Sequence, residues 1–396
     1  MGIVRTFKKT ILATTIAGIL PSCGIAASIT VTPSSPDQIP LPDVSGVVDN
    51  ILFRTNNQVV EKTLGNESTE KLVVKEVTLD DQSGSGGQVI FHMTAKDMEL
   101  GSTAWGSLWS NPQPTNNQLH IEANKLVADG ETKSAFSLYK CGSIKINENS
   151  PDAIVNISSG STTAVYLSEE SNFQVNGKDI DISSSVSKGS TSGTLYGIDE
   201  SQFSANASNR LTVSNSNGGY ALRIYGNATY DLQAQDELSV TTALDKTAIS
   251  ISQSDKKEAS IAMEGGIINV QGNIEIDADD VNLGKFTATA GEQFTINNNS
   301  KEQGGSLFLK NKASAEITSK SFLINNEGTH EKSCGIILND SYGSGSSFTG
   351  HFENEGVINA VTGIHNARGT FSLTGSSDSS STLSINGGLA GIVAKN

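Results

Sequence analysis

The sequence predicts an all-β protein wound as a parallel solenoid of about ten coils of roughly 28 residues, with an irregular N-terminal cap in front. Three observations point there. From about residue 119 a short apolar strand recurs at a near-constant interval. All eight prolines lie at or before Pro151, leaving the rest of the chain free of the residue that cannot donate to a strand ladder. Only 36% of the 396 residues are hydrophobic and 17% charged, with 39 glycines, a mixture suited to many short strands joined by polar turns.

Residues 1–26 read as an export signal. Arg5, Lys8 and Lys9 precede the apolar run 11–20, and small residues follow, with Gly24-Ile25-Ala26 placed for a cut after Ala26. The run is about half the roughly 20 residues that a membrane-crossing helix needs. Leu20-Pro21-Ser22-Cys23 offers an alternative, a bacterial lipobox whose Cys23 would carry lipid, although Pro21 is awkward beside a processing site. Residues 27–48, with Pro33, Pro36, Pro40 and Pro42, read as an extended lead-in. Residues 49–118 contain strands such as Leu72 to Leu79 and Val89 to Met93, and are expected to cap the open end of the solenoid. Trp105 and Trp109 follow closely, either as part of that cap or as an aromatic platform for a glycan.

Residues 119–396 carry the repeat. Its copies begin at Ala135, Ala164, Leu195, Ala221, Ala248, Ser306, Gly335, Gly363 and Gly391, at steps of 29, 31, 26, 27, 58, 29, 28 and 28 residues. The step of 58 implies a degenerate copy, placed near Asp280-Val281-Asn282-Leu283. A second strand precedes most copies, as in Leu211-Thr212-Val213, Leu238-Ser239-Val240 and Phe322-Leu323-Ile324, so each repeat reads strand, turn, strand. Ile180-Asp181-Ile182 and Ile274-Glu275-Ile276 alternate strictly, with one side facing inward. Asn299, Asn326, Asn339 and Asn366 recur near one phase and suggest asparagine ladders at the turns. A sandwich or barrel with regular strand spacing is the competing architecture. In the solenoid Cys141 and Cys334 stand some seven coils apart, roughly 30 Å, beyond disulfide reach. The last coil, Leu383 to Val393, is followed by no capping segment, which suggests a truncated reading frame or pairing with another copy.

The export signal, the Pro-rich lead and repeats of the type Asn354-Glu-Gly-Val-Ile-Asn-Ala-Val-Thr-Gly-Ile364 resemble the passenger region of a Gram-negative autotransporter, a type V secreted protein. The resemblance covers about residues 119–396. It implies a right-handed parallel β-helix and a role in adhesion, aggregation or toxicity. It also implies a C-terminal translocator barrel, whereas this sequence ends in Lys395-Asn396 and its last strands lack aromatic girdles.

Chemistry is sparsely signalled. With 42 acidic against 27 basic side chains and a net charge of −15, nucleic acid is a poor partner candidate and none is expected. His92, His120, His330, His351 and His365 fall in no metal or protease signature, and the Gly-Asp-Ser run of serine protease passengers is absent. Asp277, Asp279 and Asp280 form the one tight acidic cluster of the repeats. Paired carboxylates suit acid-base cleavage or a weak calcium site, but residues 265–284 hold no Lys, Arg or His, and a solvated turn is the plainer reading. No catalytic, cofactor-binding or metal-ligating residue is therefore assigned. The expectation is a non-enzymatic solenoid at the cell surface or outside the cell, periplasmic if the polypeptide truly ends at Asn396. It would adhere to a host surface molecule, a glycan or a sister cell, with self-association possible through strand edges. The alternative is a secreted polysaccharide lyase or glycoside hydrolase.

Overall fold

The computed structural model describes residues 27–41, 47–54, 58–79, 87–106, 116–187, 193–252, 258–278, 283–299, 304–339, 345–376 and 381–394. The expected export signal over 1–26, with Cys23, lies outside them. Among the described residues every helix or strand is a strand, and successive turns pair in parallel, as a solenoid requires.

Each turn crosses three faces. In one turn the strand Thr229–Thr241 supplies 229–234 to the first face and, beyond a register shift between Ala234 and Glu237, 237–241 to the second; Thr247–Ser252 forms the third. In the next turn Tyr230 pairs with Ile261, Leu238 with Ile268, and Ile249 with Ile274. In the region expected to repeat, first-face strands start at Asn117, Gly142, Asn172, Gln202, Thr229, Ala259, Gly284, Ser314, Ser346 and Gly369, ten turns with a mean step of roughly 28 residues.

The strand pattern is the physical origin of the three faces. Alternate residues point inward, and in register they build columns such as Leu126, Val155, Ile180, Leu211, Leu238 and Ile268 on the second face. On the first face Phe173, Phe203 and Tyr230 follow one another with ring centroids 5.6 Å apart at each step. Fully burying a side chain of this kind contributes about 1.5–3 kcal/mol. The corner between first and second faces is sharp, and small side chains line it: Gly177, Ala207, Ala234, Gly265, Ala290 and Ser319 pair in sequence. A Cβ on Gly177 would lie 2.9 Å from the Ala153 carbonyl oxygen.

Four expectations change. The repeat holds three strands rather than two; the first face escaped notice because its inner positions are interrupted by Ala and Gly at the corner, which dilutes the apolar signal. The degenerate copy is Asn273–Asp277 and not 280–283, since Ile249 pairs with Ile274 and Ile274 with Leu307. The stack also shows no boundary at residue 119. Val47–Phe53, from the expected lead-in and cap, pairs in parallel with Ala27–Val31 on one side and Lys71–Leu79 on the other, and the ladder runs on from Val89–Trp105 into Asn117–Asp129. Asparagines do not form one ladder. Asn326 pairs with Asn298 and braces the turn after the second face, donating to the Cys334 carbonyl at 2.9 Å, whereas Asn366 closes on Gly369 at the turn after the third.

Candidate functional site

The sequence candidates disperse in the structure. Trp105 is fully buried in the third face, edge-on to Phe53, so it is core rather than a glycan platform; Trp109 lies outside the described residues. Asp279 and Asp280 also lie outside them. Asp277 sits on the outer side of the third face, where Lys310 from the following turn reaches its carboxylate at 3.2 Å and that of Glu275 at 2.7 Å. A cation therefore stands beside this cluster, which the sequence segment alone did not contain. Burial works against the Lys310 ammonium, but the two carboxylates outweigh it and raise its pKa. Cys141 and Cys334 are both free thiols.

His92 and His120 occupy neighbouring turns of the first face and stack at 4.7 Å. Glu148 contacts His120 Nδ1 at 3.0 Å, and Glu61 approaches His92 Nε2 at 3.8 Å. Among the described residues no cluster of three or more His, Cys, Asp or Glu is arranged to hold a metal ion.

The richest outer surface lies on the third face. Of the seven tyrosines in the chain, Tyr139, Tyr166, Tyr196, Tyr220 and Tyr225 gather there over four consecutive turns; Tyr230 is in the core and Tyr342 lies outside the described residues. The register makes the strip: Ser137 pairs with Tyr166, Tyr166 with Tyr196, and Tyr196 with Arg223. Tyr139 and Tyr166 lie 6.0 Å apart and Tyr166 and Tyr196 5.8 Å apart, with planes inclined at 60° and 49°. Arg223 ends the row, its guanidinium 5.4 Å from the Tyr196 ring centroid and 4.9 Å from that of Tyr220. Burial pushes the hydroxyls of Tyr166 and Tyr196 to higher pKa, so both are neutral and can donate as well as accept hydrogen bonds near pH 7.

Acidic turns flank the strip. Glu169 and Glu170 in one turn, and Asp199 and Glu200 in the next, hold φ values of 41°, 60°, 39° and 59°, the left-handed region that glycine normally takes. The cost, of order 1 kcal/mol or more per residue, is borne at stacked positions. The Cys141 amide donates to the Glu169 carbonyl at 3.0 Å, the Glu170 amide to the Asp199 carbonyl at 3.1 Å, and the Glu200 amide to Asn227 Oδ1 at 2.9 Å. In the following turn Gly226 takes the left-handed conformation without that penalty.

Sequence reasoning passed over this surface. Its signal was present: Tyr166, Tyr196 and Arg223 sit inside three successive repeat copies, on the side opposite the apolar residues used to find them. No family model, curated protein or solved structure matches this chain.

Proposed function

We propose that the chain is an exported surface or secreted solenoid, comparable to an autotransporter passenger, that works by adhesion and not by catalysis. The observation that carries this reading is the row of tyrosines and Arg223 on the outside of the third face, a contact surface repeated from turn to turn. The basic residues Arg5, Lys8 and Lys9 followed by the apolar run 11–20 support export. Of the acidic cluster that suggested an enzyme, the described Asp277, with Glu275 beside it, is paired with Lys310 on the same surface, which favours a structural ion pair over an acid-base couple.

Immunoblotting native cells before and after protease shaving, together with attachment and clumping assays on cells lacking the gene, tests the proposal. The expected result is a band removed by shaving and attachment or clumping lost with the gene. A protected band with unchanged attachment and clumping would overturn it. Polysaccharide cleavage abolished by Asp277→Asn would favour the enzyme alternative.

A further inference from the structure

We infer that the tyrosine strip of the third face binds a neutral, extended glycan laid along the solenoid axis. The inference deepens the adhesive reading and rests on it for its biological purpose. Three features of the strip fix the ligand chemistry.

The first is repetition. Tyr139, Tyr166 and Tyr196 come one per turn with centroids 5.8–6.0 Å apart, a spacing comparable to one sugar unit of a linear chain. An aromatic ring offers an apolar surface to the C–H face of a pyranose while its hydroxyl stays polar, and these three are only half-buried. The second is the polar border. Glu170, Asp199 and Glu200 stand along one edge of the row on backbone held in the left-handed region, and carboxylates accept hydrogen bonds from paired sugar hydroxyls. Local strain kept at neighbouring turns is a feature that collects at binding surfaces. The third is charge. Among the described residues, the edge carboxylates Glu169, Glu170, Asp199 and Glu200 outnumber the two nearby cations and repel uronic or sialic acids: Lys140 is held by Glu169 at 3.1 Å, and Arg223 lies against Tyr196 and Tyr220. A neutral chain avoids that repulsion. A peptide partner would instead favour an open sheet edge or an apolar groove, and this surface is the closed middle of a sheet with a polar margin.

The test uses the purified, signal-processed full chain with two probes, the β-1,4-linked hexamers of glucose and of N-acetylglucosamine, titrated by calorimetry and by affinity electrophoresis in the corresponding polymers. Saturable binding of at least one hexamer is expected. Tyr166→Ala and Tyr196→Ala should each weaken it about 10-fold, as loss of a central aromatic contact does. Tyr166→Phe keeps the ring and should retain most of the affinity, and circular dichroism should show an unchanged fold for all variants. Because Tyr166→Ala also loosens packing at Tyr139, Glu200→Gln serves as a second variant that leaves the tyrosines in place, and it too should weaken binding.

Absence of saturable binding to either hexamer overturns the inference, as does binding that Tyr166→Ala, Tyr196→Ala and Glu200→Gln all leave unchanged. Capture of a peptide in place of a sugar, abolished by the same tyrosine substitutions, also overturns it and assigns the strip to a protein. Attachment by native cells that survives in the Tyr166→Ala, Tyr196→Ala strain would overturn the glycan site while leaving the adhesive reading intact. Glycan binding by a protein whose deletion changes neither attachment nor clumping would retain the site and remove the adhesive reading.

Discussion

Phe53 and Trp105 meet edge to face in the interior of the third face, with ring centroids 5.5 Å apart and planes at 79°. Phe91 contacts Phe53 from the first face at 4.6 Å, so the three rings join two walls of the early turns. Replacing Trp105 with Ala should cost about 3–5 kcal/mol through the cavity it leaves. In a stack where each turn touches only its neighbours, the loss should stay local. Hydrogen exchange followed by mass spectrometry should show reduced protection near residues 91–138 and none around 322–326. Uniform loss along the chain would contradict this.

Gly197 occupies an inner position of the third face that is Leu167 in the preceding turn and Ile224 in the following one. Its missing side chain makes room for Tyr230: a Cβ there would lie 2.5 Å from the Tyr230 hydroxyl and 2.7 Å from Ser201 Oγ. Gly197→Ala should cost about 1–3 kcal/mol by overpacking. Tyr230→Phe removes the hydroxyl that donates to the Arg223 carbonyl at 3.4 Å, a loss of about 1 kcal/mol. The double variant should be destabilised by less than the two changes together, since the closest of the clashes disappears with the hydroxyl. Additive costs in urea unfolding would refute the coupling.

Burial, and after it the neighbouring His120, hold the pKa of His92 below its ordinary 6.5, against the opposing pull of Glu61 and Glu148. The unfolded chain therefore takes up this proton first as pH falls. The stabilisation due to neutral His92 is complete above about pH 6.5 and is lost as acidification proceeds from there to the folded pKa. Melting temperatures measured between pH 8 and pH 5 should fall more steeply for the native protein than for His92→Gln. Equal slopes would exclude the imidazole as the cause.

Both thiols should be sluggish. Burial pushes Cys334 up to about 11, and burial with the hydrogen bond to Glu170 pushes Cys141 to about 11. From an ordinary value of 9.0, that lowers the thiolate fraction near pH 8 by about 100-fold. Intact-mass measurement after iodoacetamide treatment should find slow labelling in the native state and rapid labelling of both cysteines in denaturant. Fast native labelling of Cys334 would contradict its burial.

The sequence alone determined the class of fold and its pitch. An apolar strand every 28 or so residues, alternation in Ile180-Asp181-Ile182 and Ile274-Glu275-Ile276, and proline confined to the first part of the chain suffice, because inward alternation and ladder hydrogen bonding are local demands on each strand. Only the tertiary structure decided how many faces a turn has, where the stack begins, and which surface residues meet. Strand pairing joins residues about one turn apart, so it alone placed the first face with its Ala and Gly corner, put Lys310 against Asp277, sent Trp105 inward and aligned Tyr166, Tyr196 and Arg223. Such contacts depend on register between turns, and a shift of one residue would carry every one of those side chains to the opposite face.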